Sequence, residues 1–453
     1  MLDFTNFGLR QTGVMPSRNS KEIAASFCGV GCECLDRDYF DPKPVFPQLG
    51  EIGIKWVRLQ TGWIKCEKSP GVYDFGWLDW QVDTLLAAGI QPWFNLCYGN
   101  PLYTPGAGPT AEKAVGQVPL NTPEALTAWL NFTKALAKHF KGRVQVYEIW
   151  NEPNHPLFWV NLPITGKNYA RLFDPTQQAI RDVLPEARIV ALAATSGIFS
   201  VAGMNYVKEF FSSLQDPMAV DIVTFHSYRY PPDNRYAEDV NWLRSVVEEF
   251  NPAIELWQGE SGYASEPNGT GSEANHNYTS EIIQAKWMTR HVLCNLGLGL
   301  RHVSWHQAID LAGYREPDKI NPKGLLRTPD ATRKPSFYVY QRLCALFTAA
   351  VQPCVRRWRA QVQTSTMDYL MPSVQAYHFT NTDGMHYLTY WRDGDIHNHN
   401  VMEEVELWVE GQCHFTRLLD PYTGYSYTAQ GETDGSGTRF RLPLTDYALI
   451  LTT

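Results

Sequence analysis

Apolar and polar positions alternate in two rhythms along this chain. From about residue 23 to 350, short runs that are apolar on both faces are separated by longer stretches with apolar residues at helical spacing. The short runs cover 24–34, 55–63, 90–95, 144–150, 188–193, 221–228, 254–262 and 300–305. Apolar faces on both sides predict strands of a covered parallel sheet. Helical spacing predicts helices over 77–88, 122–140, 168–183, 205–214, 236–250, 281–296 and 336–349. Local chemistry agrees: Thr122-Pro123-Glu124 is a helix start, and Gly89 and Gly142 follow helices as stops. Repeated strand–helix alternation is the signature of an α/β fold of the (β/α)8 TIM-barrel type.

After about residue 351 the helical rhythm ends. Alternating runs at 373–380, 385–391, 405–409 and 447–451 are punctuated by Asp383-Gly384, Asp393-Gly394 and Asp434-Gly435, which predicts a β-sandwich of hairpins. The expected organisation is an N-terminal arm (1–22), a catalytic barrel (23–350) and a C-terminal β-sandwich domain (351–453).

Composition narrows the partners. The 453 residues carry a net charge of -8, which argues against nucleic acid and anionic membrane surfaces, since both call for basic patches. No stretch approaches the roughly 18 apolar residues of a membrane span, and the start shows no signal peptide, so a cytoplasmic protein is expected. Nine scattered cysteines fit reduced thiols rather than a disulfide framework. The 15 Trp and 23 Tyr offer flat faces that suit sugar rings as well as cores. The oligomeric state, a homo-oligomer included, is open.

The chemistry concentrates at two strand ends. VQVYEIWNEPN (144–154) ends in Glu152, and IELWQGESG (254–262) ends in Glu260. Two carboxylates facing each other across a barrel mouth are what glycosidic bond cleavage requires: one protonates the leaving oxygen, the other attacks or shields the anomeric carbon. No metal or cofactor is called for. Asn151 is placed to hydrogen-bond a sugar 2-hydroxyl, while Arg58 and Tyr228 are the donors expected to keep Glu260 ionised as nucleophile. His226 belongs to the same group of expected substrate-binding residues, and Glu33, Asn95, Tyr98, Trp63, His155, Trp159 and His306 fall in mouth loops where substrate contacts are expected.

WNEPN at 150–154, the strand-seven Glu260, His226-Ser227-Tyr228 and YDFGWLDWQVDTLLAAGIQPWFNL (73–96) resemble clan A of the glycoside hydrolases, and within it family 39, which includes β-xylosidases and α-L-iduronidases. The resemblance covers the barrel and the following sandwich. It implies a retaining mechanism with Glu152 as acid/base and Glu260 as nucleophile, acting on an oligosaccharide, polysaccharide or simple glycoside. It also implies that Trp305, ending strand eight, floors the sugar subsite. The chain departs from the family's usual T-E-W-N or S-E-W around the nucleophile, having Gly259-Glu260-Ser261-Gly262. The favoured expectation is an exo-acting, β-xylosidase-like enzyme cleaving β-linked or α-L-arabino-type glycosides by double displacement. An endo-acting glycanase, a β-galactosidase or β-glucosidase, a non-catalytic carbohydrate-binding protein and a metal-dependent barrel hydrolase are the alternatives.

Other features have plainer readings. Glu148 alternates into the barrel as support, His397-Asn398-His399 reads as a hairpin loop, and Cys28, Cys32 and Cys34 read as small core residues. Loops 98–117 and 264–278 are expected to decide which sugar fits.

Overall fold

The computed structural model describes residues 4–104, 106, 108–267, 279–354, 356–363, 373–411 and 414–453. Most of loop 264–278, residues 268–278, thus lies outside the described residues. Eight parallel strands close into a barrel: β1 Cys28–Gly31, β2 Trp56–Gln60, β3 Gln91–Leu96, β4 Val146–Ile149, β5 Arg188–Thr195, β6 Ile222–His226, β7 Glu255–Ser261 and β8 His302–Trp305. Each is followed by a helix: α1 Phe46–Ile52, α2 Gly76–Ala87, α3 Pro123–His139, α4 Gly166–Arg181, α5 Val201–Ser213, α6 Tyr236–Glu248, α7 Glu281–Gly297 and α8 Pro335–Leu346. The fold is the expected TIM barrel.

Two helices differ from the sequence expectation. α1 has no counterpart in it, because seven residues containing Pro47 and Gly50 show too little periodicity to read. α5 starts at Val201, since the Ser200 hydroxyl accepts from the Gly203 amide at 3.0 Å and begins the helix earlier than its apolar spacing suggests. Elsewhere the local chemistry acts as anticipated. Thr122 accepts from the Ala125 amide at 3.1 Å, and Gly89, at φ +78°, ends α2 in the left-handed conformation.

The barrel interior is layered. At the bottom, Trp93, Val146, Val190, Ile222 and Trp257 form an apolar plug with Trp56 against it. Arg58 lies above, its guanidinium carbon 5.5 Å from the Trp93 ring centre. The carboxylates come next, toward the C-terminal ends of the strands, where TIM barrels carry their sites.

C-terminal to the barrel are two antiparallel sheets, whose inner residues, among them Leu388, Leu449, Leu407 and Phe440, form one buried cluster. The larger sheet also takes in strand Gln11–Val14, which pairs with Tyr425–Thr428, giving the N-terminal stretch its packing partner. α7 lies between barrel and sheets, so residues 283–296 are all buried. Its Lys286 ammonium donates to Asp446 at 2.9 Å and to the carbonyls of His397 and His399 at 2.8 and 2.9 Å. The His-Asn-His loop therefore grips a helix.

Candidate active site

The mouth of the barrel holds a cavity of about 530 Å³. Glu152 and Glu260 both line it, each nearly buried. Glu152 follows β4 in a left-handed turn (φ +48°), and its amide donates to the Ala193 carbonyl at 3.0 Å, which ties the turn to β5. Glu260 ends β7 where the register with β6 shifts. One carboxylate oxygen from each glutamate and one nitrogen of His226 all lie within 4.8 Å of one another.

Arg58, fully buried on β2, organises the site. It donates to Glu148 (2.8 Å), Glu33 (3.0 Å), Glu260 Oε2 (2.8 Å) and Asn151 Oδ1 (2.9 Å). Glu33 reaches back over Gly31, where a Cβ would sit 2.0 Å from its carboxylate. The Tyr228 hydroxyl donates to Glu260 Oε1 at 2.6 Å, and His306 Nδ1 lies 3.3 Å from Glu33 and 3.8 Å from Glu260. His226 Nδ1 pairs with Glu152 Oε1 at 2.8 Å.

These contacts set the charge of Glu260. Burial opposes charge on Glu260, but His226, His306, Arg58 and the Tyr228 hydroxyl outweigh it and hold the carboxyl well below the usual range. Burial likewise opposes charge on His226, and the two carboxylates overcome it, so its pKa rises. The Cys34 thiol on the cavity wall is pushed up to about 12, chiefly by burial, which leaves it no nucleophile.

Of the expected site residues, Glu33, Tyr98, Asn151, Glu152, His155, Tyr228, Glu260 and His306 line the cavity, with Arg58 and His226 directly beneath. Four others lie elsewhere. Trp305 is buried against Trp287 with its indole N–H on the Lys323 carbonyl, where β7 and β8 shift register between Gln258 and Ser261; His306, the residue just after β8, reaches the cavity instead. Trp63 packs among Tyr103, Trp129 and Phe132, and its N–H goes to Glu67. Trp159 lies edge-on to Trp150 and Tyr169. Asn95 stays within the barrel, donating to Glu148 and the Trp150 carbonyl.

The cavity also uses residues the sequence reading passed over: Arg37 after β1, and Tyr314, Arg315, Asn321 and Lys323 in the excursion between β8 and α8. That excursion carries a two-stranded hairpin, Leu311–Ala312 with Ile320–Asn321. A connection near thirty residues long is itself a sign of a functional mouth loop.

Glu33, Glu260 and His306, like Glu152, His226 and Glu260, are spaced closely enough to hold a cation. Both oxygens of Glu260 already accept from Arg58 and Tyr228, however, and an ion there would compete with the guanidinium. The donor set fits paired carboxylates better than a metal centre.

Residues 38–251 match the model for glycosyl hydrolases family 39. A β-xylosidase from Geobacillus stearothermophilus is 25% identical over 217 residues, 43% of this chain, and the match spans only 40% of that relative. The fold resembles a family 39 glycoside hydrolase from Bacteroides cellulosilyticus WH2 (TM-score 0.67, 20% identity, 96% of this chain and 82% of the other). It also resembles a monomeric β-xylosidase from Caulobacter crescentus CB15 (TM-score 0.60, 17% identity, 95% and 97%). At these identities the structures speak to fold, while the sequence match speaks to ancestry. The sequence matches make the chain similar to the glycosyl hydrolases of family 39, with β-xylosidase-like homologues, and the solved structures share its fold.

Proposed function

We propose that this protein hydrolyses glycosidic bonds with net retention at the anomeric carbon, Glu260 acting as nucleophile and Glu152 as acid/base. The carrying observation is the carboxylate pair: oxygens within 4.8 Å suit direct attack, whereas an inverting pair stands roughly 6.5–9.5 Å apart to admit a water. Arg58 and Tyr228 keep Glu260 ionised for attack. Glu152 protonates the departing oxygen through the carboxylate oxygen that His226 does not engage, and after the aglycone leaves it takes a proton from the water that cleaves the glycosyl ester. Asn151, fixed by Arg58 and Tyr98, presents its amide beside the reacting ring.

The finer reading is exo-acting and β-xylosidase-like, supported by the β-xylosidases among the relatives. The substrate is a glycoside. No helix among the described residues is long and apolar enough to cross a membrane. We infer a cytoplasmic setting from the eight free thiols among the described residues.

The test is release of nitrophenol from aryl β-xyloside, β-glucoside, β-galactoside and α-L-arabinoside. Glu152→Gln and Glu260→Gln are run beside the wild type, and the first-formed anomer is followed by NMR. Cleavage of one sugar with retention, lost in Glu260→Gln, supports the proposal. First formation of the inverted anomer would sink the retaining assignment, and tight sugar binding without turnover would point to a carbohydrate-binding protein.

A further inference from the structure

A second cluster of ligand-type side chains lies far from the barrel mouth, on the edge of the larger C-terminal sheet. The chain leaves α8 and enters edge strand β9, Val351–Pro353, which pairs antiparallel with β10, Val374–Asn381; β10 pairs in turn with β11, His386–Arg392. Pro353 is opposite Phe379, so Cys354 falls opposite His378, and the Cys354 amide donates to the His378 carbonyl at 2.8 Å. Thr380 is opposite His386. With a side-chain period of two, Cys354, His378 and His386 share one face, the face on which Leu388 and Tyr390 enter the sandwich core. One sulfur and one nitrogen from each imidazole lie within 4.8 Å of one another.

Two observations set this cluster apart from an ordinary polar sheet edge. His378 Nε2 and His386 Nδ1 are 3.2 Å apart, and two nitrogens bound to one tetrahedral zinc at ~2.0–2.1 Å would stand about 3.3 Å from each other. Moreover, His378 is only 6% exposed, and its Nδ1 has no hydrogen-bond partner among the described residues. Only its neighbour's ring compensates for burying that imidazole. A cation held at Nε2, between the two rings, would replace that ring-to-ring contact with a stronger bond and leave Nδ1 as the ring's N–H. Arg356 is the charge that opposes an ion here, and a thiolate from Cys354 would offset it.

We propose that Cys354, His378 and His386 bind one borderline-soft divalent metal ion of the zinc class, with solvent at the fourth position, and that the ion fastens edge strand β9 to β10 and β11. Binding converts the Cys354 thiol to thiolate and releases its proton to solvent. Cys354 and His386 are part-exposed, which gives an ion a path in. The consequence is mechanical: β9 is the first strand after the barrel's last helix, so the ion would pin the junction between barrel and sheets at an edge strand, which has a neighbour on one side alone.

The test uses the full chain stripped by chelator and dialysed, then titrated with Co2+ as a spectroscopic probe. The expected result is one equivalent bound, with a sulfur-to-cobalt charge-transfer band that Zn2+ abolishes by displacement. The band should be absent in Cys354→Ser, and binding should weaken roughly tenfold or more in His386→Gln. Zn2+ should raise the melting temperature of the wild type and leave that of Cys354→Ser unmoved, while metal-free Cys354→Ser keeps wild-type aryl-glycosidase activity. Glu260→Gln is the control for the barrel mouth and should keep the band. Absence of the band in the wild type, its survival in Cys354→Ser, or its loss in Glu260→Gln would each overturn the proposal.

Discussion

Two histidines are sealed within the barrel, and they are driven in opposite directions. His302, at the start of β8, sits among the rings of Trp56, Trp93 and Trp257, with both ring nitrogens lacking partners among the described residues; burial pushes its pKa down to about 3. His226, at the end of β6, is equally buried, yet Glu260 and Glu152 raise its pKa. Burial alone therefore does not decide the charge of a group; the identity of its neighbours does. The bottom of the barrel is built to exclude charge and the top to hold it, with Arg58 at the boundary, stacked on the Trp93 ring below and bonded to three carboxylates above.

The largest effect should come from removing the proposed nucleophile at the charged end. Glu260→Ala is expected to lower turnover on an aryl glycoside by on the order of 10⁴-fold or more. Azide should restore product formation as a glycosyl azide of inverted configuration relative to the substrate. Near-normal turnover, with no response to azide, would remove Glu260 from the nucleophile's role.

Next in size is the boundary itself. Arg58→Met leaves Glu33, Glu148 and Glu260 crowded together without their shared cation, and breaking a buried ionic cluster in this way costs about 3–5 kcal/mol. The denaturation midpoint should fall accordingly. In whatever fraction folds, Glu260 loses one of the influences holding its pKa down, so the acid limb of the pH–rate profile should move to higher pH. An unmoved acid limb would mean that Arg58 supports the fold without tuning the nucleophile.

This layering was only partly legible in the sequence. Strand periodicity places Glu152, Glu260 and Arg58 at strand ends or within them, and carboxylates at such positions carry their own message. Periodicity stops at a bulge. Where β7 and β8 shift register, Trp305 is core and His306 comes forward, and nothing in the run 300–305 announces it. Trp63 and Trp159 lie beyond strand ends, where a residue can face either way, and theirs is the side that packs; Asn95 lies within β3, where Glu148 and the Trp150 carbonyl take up its amide. Arg37, Tyr314, Arg315 and Lys323 come from connections without a period, where only length gives a signal.

The smallest effect tests the uncharged end. Replacing His302 by leucine removes two unpartnered polar atoms from an apolar plug, so at pH 7 stability should change by about 1 kcal/mol or less. In acid the two proteins should part. His302 titrates near 6.5 when unfolded and at about 3 when folded, so the unfolded chain takes up the proton first, and the wild type loses stability as pH falls from 6.5 toward 3. At pH 5 that loss is about 2 kcal/mol, and the leucine variant escapes it. Urea midpoints measured at pH 7 and pH 5 should therefore show the variant gaining on the wild type as the solution is acidified. The opposite trend would mean that the ring finds a proton-sharing partner at the bottom of the barrel, and that the division between a charged top and a neutral bottom does not hold.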